Sequence, residues 1–222
     1  MQASIITPTQ ERNWLTAGAI ALLVLATLWI AVLSGVTTAM DDAVLPVFYP
    51  TSSSGGVVAS MLAVVGDTAF VGACAGIAAV ALVLRRRVWT AARVLGVVGV
   101  VAIAVAIIKQ VVHRARPLAG SGIEVGYSFP SGHASTSAAI ACLAVWLVLR
   151  RRGPSRETAL LLALGGGWAL VIALDRLVLG VHYLSDVLAG WALGTAAACF
   201  TLVVLARAEA RWPDALKRQS VR

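Results

Sequence analysis

Charge is scarce along this chain of 222 residues: Asp, Glu, Lys and Arg together make up 13%. Soluble domains carry about a quarter. Apolar residues fill 59% of positions and the mean hydropathy is +0.89. That balance excludes an ordinary soluble protein and leaves little room for a separate soluble domain. Acidic residues are scarcer than basic ones, 10 against 18. No cluster of spare carboxylates offers itself to magnesium. Cysteine is limited to Cys74, Cys142 and Cys199, all inside apolar runs. Their spacing matches no zinc pattern, and they read as small hydrophobes. Internal repeats and low-complexity tracts are absent. The net charge of +8 would point to nucleic acid in a soluble protein. Here no nucleic-acid partner is expected, and the placement of the charges matters more than their sum.

What is present is a series of long apolar runs. A helix needs about 20 apolar residues to cross the hydrocarbon core. Six runs are candidates: Trp14–Val36, Val64–Leu84, Ala92–Ile108, His133–Leu149, Thr158–Leu179 and Tyr183–Ala206; the third and fourth are short, but their ends carry polar motif residues that can sit at the interface. The expected fold class is therefore all-α, a polytopic membrane protein of six transmembrane helices forming one domain over residues 1–222. The first run is too long for a typical secretory signal core and lacks a convincing basic start, so it reads as a retained helix.

Basic residues in short connections mark the cytoplasmic side. Arg12, Arg85–Arg87, Arg93, Arg150–Arg152, Arg156, Arg207, Arg211, Lys217, Arg218 and Arg222 fall on one side, fourteen of the eighteen. Both termini are then expected in the cytoplasm. The four exceptions are Lys109, Arg114, Arg116 and Arg176. The stretch Asp41–Gly56, with Pro46 and Pro50, reads as an outward loop with a short interfacial segment at Val44–Tyr49. Gly72-x3-Gly76 and Gly190-x3-Gly194 place small residues on one helix face, which permits close helix packing. Asp67 lies in an apolar run and reads equally as a helix cap or as a group facing substrate.

Three segments carry the chemistry. In the first, Lys109 and Arg116 are seven residues apart, about two helical turns. Pro117 disfavours helix at Arg116, so the third helix is expected to end there. Arg supplies a planar fork for two phosphate oxygens and Lys a point charge. His113 reads as a supporting or interfacial residue, and Arg114 as an anchor to lipid headgroups. The second segment is Pro130-Ser131-Gly132-His133, just before an apolar run. Ser131 suits an N-cap, Gly132 allows close backbone approach, and the first turn of a helix favours an anion. Tyr127 and Phe129 could wall a pocket there or serve as interfacial aromatics.

In the third segment His182 and Asp186 stand at i and i+4, on one helix face. Asp186 can accept from the Nδ1–H of His182, leaving Nε2 bare as a nucleophile. Arg176 is six residues from His182, a different face of a continuous helix. Gly180 offers a break between them.

These segments read K-x6-R-P, P-S-G-H and R-x5-H-x3-D. The trio resembles the signature of the type-2 phosphatidic acid phosphatase superfamily. The resemblance runs from Lys109 to Asp186; beyond it only the six-helix plan is shared. It implies metal-independent hydrolysis of a lipid phosphomonoester or pyrophosphate through a phosphohistidine, without cofactor. His182 is the implied nucleophile, Asp186 its orienter and His133 the acid and then the base. Lys109, Arg116, Ser131, Gly132 and Arg176 are the implied phosphate ligands. Asp175 stands where the family usually has Ser, and a pairing with Arg176 or another basic residue is expected. Implied substrates are phosphatidic acid, phosphatidylglycerol phosphate, diacylglycerol pyrophosphate or polyprenyl pyrophosphate. The implied site is the outer face of a bacterial plasma membrane.

Two other classes use the same residues. A lipid phosphotransferase would pass the phosphoryl group to an alcohol instead of water. A non-enzymatic anion-binding transporter would use the cations as a selectivity site, but such folds show inverted repeats and broken midplane helices, and this chain shows neither. The related vanadium-dependent haloperoxidases share the anion pocket; the apolar runs argue against them. The oligomeric state is not legible.

Overall fold

The computed structural model describes residues 6–49, 62, 64–118, 124–153 and 155–212. Those residues form helices and connections, with no strand among them. The helices are α1 (Pro8–Leu33), α2 (Thr38–Phe48), α3 (Thr68–Leu84), α4 (Val88–Val112), α5 (Gly132–Arg152), α6 (Arg156–Val178) and α7 (Leu184–Arg211). Their starts follow the local chemistry. Thr7 caps α1 in a capping box with Gln10, Asp67 caps α3, Ser131 caps α5 and Ser155 caps α6.

Among the described residues, five helices are long and apolar enough to cross a membrane: α1, α4, α5, α6 and α7. The chain is thus a multi-pass membrane protein. Among the six expected runs, the second is shorter as a helix. Asp67 accepts the N–H groups of Ala69 and Phe70, so α3 starts at Thr68 and has 17 residues. That settles Asp67 as a cap. The expected outward loop is also corrected. Its first part is helical, because α2 runs through Asp41 to Phe48 with Pro46 inside it. The interfacial segment expected at Val44–Tyr49 is the second half of that helix. Residues 50–56 lie outside the described residues, as do Lys217, Arg218 and Arg222.

The most enclosed helix is α7, which packs against α1, α4 and α5. Its backbone approaches that of α5 closely. A Cβ on Gly194 would stand 2.0 Å from the Ser135 carbonyl oxygen, and one on Gly190 would stand 2.6 Å from that of Ser131. Only glycine allows the two backbones so near. For the Gly72 and Gly76 pair, read the same way in the sequence, an added Cβ meets nothing within 4 Å among the described residues. Of the three thiols only Cys199 is buried; Cys74 is exposed.

Polar groups segregate to the two ends of the bundle. At one end Glu209 of α7 accepts from Arg93 of α4 (2.5 Å) and Arg150 of α5 (2.9 Å), while Arg207 pairs with Glu11 of α1. At the other end lie the C-termini of α4 and α6 and the N-termini of α5 and α7. All three motif segments sit there.

Candidate active site

Helix α4 stops at Val112, earlier than Pro117 demands. His113 takes a left-handed conformation (φ 51°) and its N–H closes on the Lys109 carbonyl. Arg114 to Pro117 then run on without regular secondary structure. Ser128 fastens this stretch, its N–H reaching the Arg114 carbonyl at 2.9 Å and its hydroxyl the Ala115 carbonyl at 3.0 Å. Lys109 and Arg116 therefore arrive from a helix and from the chain beyond it, not from one helix face. Lys109 Nζ donates to the carbonyl oxygens of Tyr127 and Ser128. Arg116 donates Nη1 to the Val181 carbonyl at 2.9 Å and Nε to that of Gly126 at 3.1 Å.

The second segment is tied to the third. Ser131 N–H donates to the Asp186 carbonyl at 3.0 Å. Ser131 Oγ faces the Ala134 N–H at 3.5 Å, the N-cap arrangement expected of it. Gly132 is buried, yet a Cβ there would meet only ordinary contacts, Thr68 Oγ1 at 3.4 Å and Val105 Cγ1 at 3.7 Å. Protein packing alone does not demand glycine at this position. Phe129 belongs to the apolar core. Tyr127 meets His113 edge to face, with ring centroids 4.5 Å apart.

Gly180 (φ 63°) makes the break between α6 and α7. Arg176 thus ends one helix and His182 precedes the next. Arg176 is fully buried (0% exposed) and pairs with Asp175, its Nε 3.0 Å from Oδ2. This is the pairing expected where the resembled family usually has Ser.

The two histidines flank one anion position. His182 Nε2 is 3.2 Å from Arg116 Nη1, and His133 Nε2 is 3.3 Å from Arg176 Nη1. A guanidinium only donates, so each Nε2 must carry its lone pair and each ring proton belongs on Nδ1. For His182 that proton faces Asp186 Oδ2 at 3.5 Å, long for a hydrogen bond, and among the described residues Nδ1 has no other partner. Burial pushes the His182 pKa down to about 4, against the opposing pull of Asp186. The ring is therefore neutral at pH 7 and its Nε2 lone pair is available.

One carboxylate occupies the centre of this arrangement. Glu124 Oε1 lies 2.7 Å from Arg176 Nη1 and 3.9 Å from His133 Nδ1. Its Oε2 lies 2.9 Å from Arg116 Nη2 and 3.8 Å from His182 Nε2. Burial works to raise its pKa, but His182, Arg116, His133 and Arg176 outweigh burial and hold it below the usual glutamate value. Glu124 is not among the residues expected from the sequence. The available signal was a lone carboxylate in the connection between two cation-bearing motifs.

A second correction concerns Arg114, expected as a lipid anchor. Its Nη1 is 2.6 Å from Asp186 Oδ1 and its Nη2 is 2.7 Å from Asp41 Oδ2. Burial opposes the charge, but Asp186 and Asp41 outweigh it, and the Arg114 pKa is raised. The guanidinium also covers the Tyr183 ring at 4.3 Å. Asp41, 1% exposed on α2, is likewise not among the residues expected from the sequence.

Two imidazoles and two guanidiniums thus surround one carboxylate at this end of the helical bundle. The chain belongs to the PAP2 superfamily, whose family model matches residues 90–210, more than half its length. It is 32% identical over 111 residues to phosphatidylglycerophosphatase B of Bacillus subtilis, covering 49% of this chain and 55% of that protein. It is 40% identical over 124 residues to decaprenylphosphoryl-5-phosphoribose phosphatase of Mycobacterium tuberculosis, covering 52% of this chain and 60% of that one. The matches span less than two thirds of either relative. The fold is similar to the crystal structure of the transmembrane PAP2-type phosphatidylglycerolphosphate phosphatase from Bacillus subtilis. The TM-score is 0.73 at 23% identity, over 88% of this chain and 96% of that one.

Proposed function

We propose that this protein is a membrane lipid phosphatase working through a phosphohistidine, without metal, on the extracytoplasmic side. The observation that carries the reading is the pair of imidazole Nε2 atoms, each within 3.3 Å of a guanidinium, around a site that already holds a carboxylate. A phosphate presents the same charge type with more acceptor oxygens.

In this mechanism the substrate phosphate displaces Glu124 from Arg116 and Arg176. Lys109, Ser131 and the Gly132 N–H complete the cradle. The His182 Nε2 lone pair forms the bond to phosphorus while the bond to the leaving oxygen breaks. His133, protonated beside the bound phosphate, gives its proton to that oxygen. Asp186 holds the Nδ1 proton and stabilises the positive ring. Water then loses a proton to His133 and attacks phosphorus, the N–P bond breaks, and phosphate leaves. Phosphoryl transfer asks mainly for positioning and charge stabilisation, which the cation cluster supplies.

The charge asymmetry supports six crossings with α3 among them, both termini in the cytoplasm, and one domain over residues 1–222. A site at the outer membrane surface lets an amphiphile keep its tails in lipid while its phosphate reaches the cations. Bacterial lipid phosphates are the substrate class, including phosphatidylglycerol phosphate and polyprenyl phosphates or pyrophosphates. Phosphate release from a lipid panel in detergent with EDTA tests this. Wild type should turn over at least one lipid, and His182→Ala should lose activity on all. Equal activity in both would sink the mechanism, and abolition by EDTA would sink its metal independence.

A further inference from the structure

The orienter Asp186 is itself held from outside the three motifs. Asp41, on α2, reaches the start of α7 with both carboxylate oxygens. Oδ1 accepts the Ser185 N–H at 3.0 Å, while Oδ2 accepts the Ser185 hydroxyl at 2.6 Å and Arg114 Nη2 at 2.7 Å. The other arm of Arg114 reaches Asp186 Oδ1 at 2.6 Å and Ser185 Oγ at 2.7 Å. Asp186 Oδ2 takes the Tyr183 N–H at 3.0 Å and faces His182 Nδ1. A continuous line of contacts thus runs from Asp41 through Arg114 and Asp186 to His182.

We infer that Asp41 is a positioning residue for the reaction, acting through Arg114 on Asp186; this rests on the phosphohistidine reading above. Two physical effects follow from the contacts. The first turn of a helix leaves backbone N–H groups without partners. Asp186 satisfies that of Tyr183 and Asp41 that of Ser185, so the helix start carrying the orienter is pinned from two sides. The second effect is electrostatic. An arginine paired with Asp186 alone would oppose the positive charge that His182 gains on phosphorylation. Asp41 supplies a second carboxylate to the same guanidinium, in a buried place where charges are weakly screened. Asp186 then remains free to support the charged ring. The charge of Asp41 is spent on the reacting state of His182 and not on the bound phosphate.

The test compares full-length wild type, Asp41→Asn, Asp41→Glu, Arg114→Gln and the Asp41→Asn, Arg114→Gln double variant in detergent. The substrate is the most active member of the lipid panel. Titration with orthovanadate counts folded sites, so loss of fold is not read as loss of rate. Asp41→Asn should lower kcat per titrated site by about 10- to 100-fold with KM within about twofold, and Asp41→Glu should recover most of it. In the Arg114→Gln background the Asp41→Asn change should cost less than about twofold, because the charge it balances is gone. Wild-type kcat in Asp41→Asn overturns the inference. So does an equal loss in both backgrounds, or a loss confined to the number of titratable sites. Activity persisting in His182→Ala would instead overturn the phosphohistidine reading and leave the Asp41 result to be judged on its own arms.

Discussion

Glu124 is bound by Arg176 at 2.7 Å, and the partner in this ion pair is a guanidinium with no exposed surface. A buried arginine needs a compensating anion. Asp175 pairs with one side of this guanidinium, and Glu124 adds a second carboxylate at the place where a substrate phosphate is proposed to sit.

That occupancy makes Glu124 a competitor for anions. Glu124→Ala should bind inorganic phosphate or orthovanadate about tenfold more tightly, roughly 1.4 kcal/mol. Inhibition constants of wild type and variant, measured side by side, check it. Unchanged or weaker inhibition would show that the carboxylate supports the anion site and does not compete for it.

His182 links the site to stability. Its pKa is depressed to about 4 by burial, against an ordinary value near 6.5. Because the folded value lies below the unfolded one, the unfolded chain binds the proton more readily at intermediate pH. The contribution, roughly 3 kcal/mol, is fully present above about pH 6.5 and is lost as pH falls through about 4. The apparent Tm of wild type in detergent should fall between pH 7 and pH 4.5 more steeply than that of His182→Gln. Parallel curves would contradict the burial of a neutral ring.

Gly194 and Gly72 form a matched pair. A methyl group at 194 would collide with the Ser135 carbonyl, 2.0 Å away, whereas one at 72 meets open space. Gly194→Ala should push α5 from α7, separating Ser131 and His133 from His182 and Asp186. Its expected cost is about 1–3 kcal/mol of stability, with a fall in activity of about tenfold or more. Gly72→Ala should match wild type in both. Thermal shift and phosphate-release assays check the pair.

The proposed orientation is tested by labelling. Leu118 is 89% exposed, beside the site. Leu118→Cys in a background without native cysteines should react with an impermeant thiol reagent from outside intact cells. Labelling from the cytoplasmic side only would reverse the topology.

Much of this was legible in the sequence because it is local. His182 and Asp186 meet through a four-residue helical step, Ser131 caps the helix it precedes, and the Gly180 break puts Arg176 and His182 in separate elements. Gly190 and Gly194 also kept their reading, while Gly72 and Gly76 did not, since a small residue permits a close approach without supplying the partner. What stayed hidden depends on contacts between distant segments. Arg114 looked like an anchor because its partners lie 73 and 72 residues away, at Asp41 and Asp186. Glu124 follows no periodicity, and only the convergence of Arg116 and Arg176 gives it meaning. The end of α4 was misjudged for a local reason: His113 turns left-handed before Pro117 can act.

The central claim is that His182 carries the phosphoryl group. Rapid quenching of the enzyme with a lipid substrate labelled in its phosphate should leave protein-bound label that is acid-labile and base-stable. That label should be absent in His182→Ala. Label persisting in His182→Ala, or its absence from wild type during active turnover, would contradict the account.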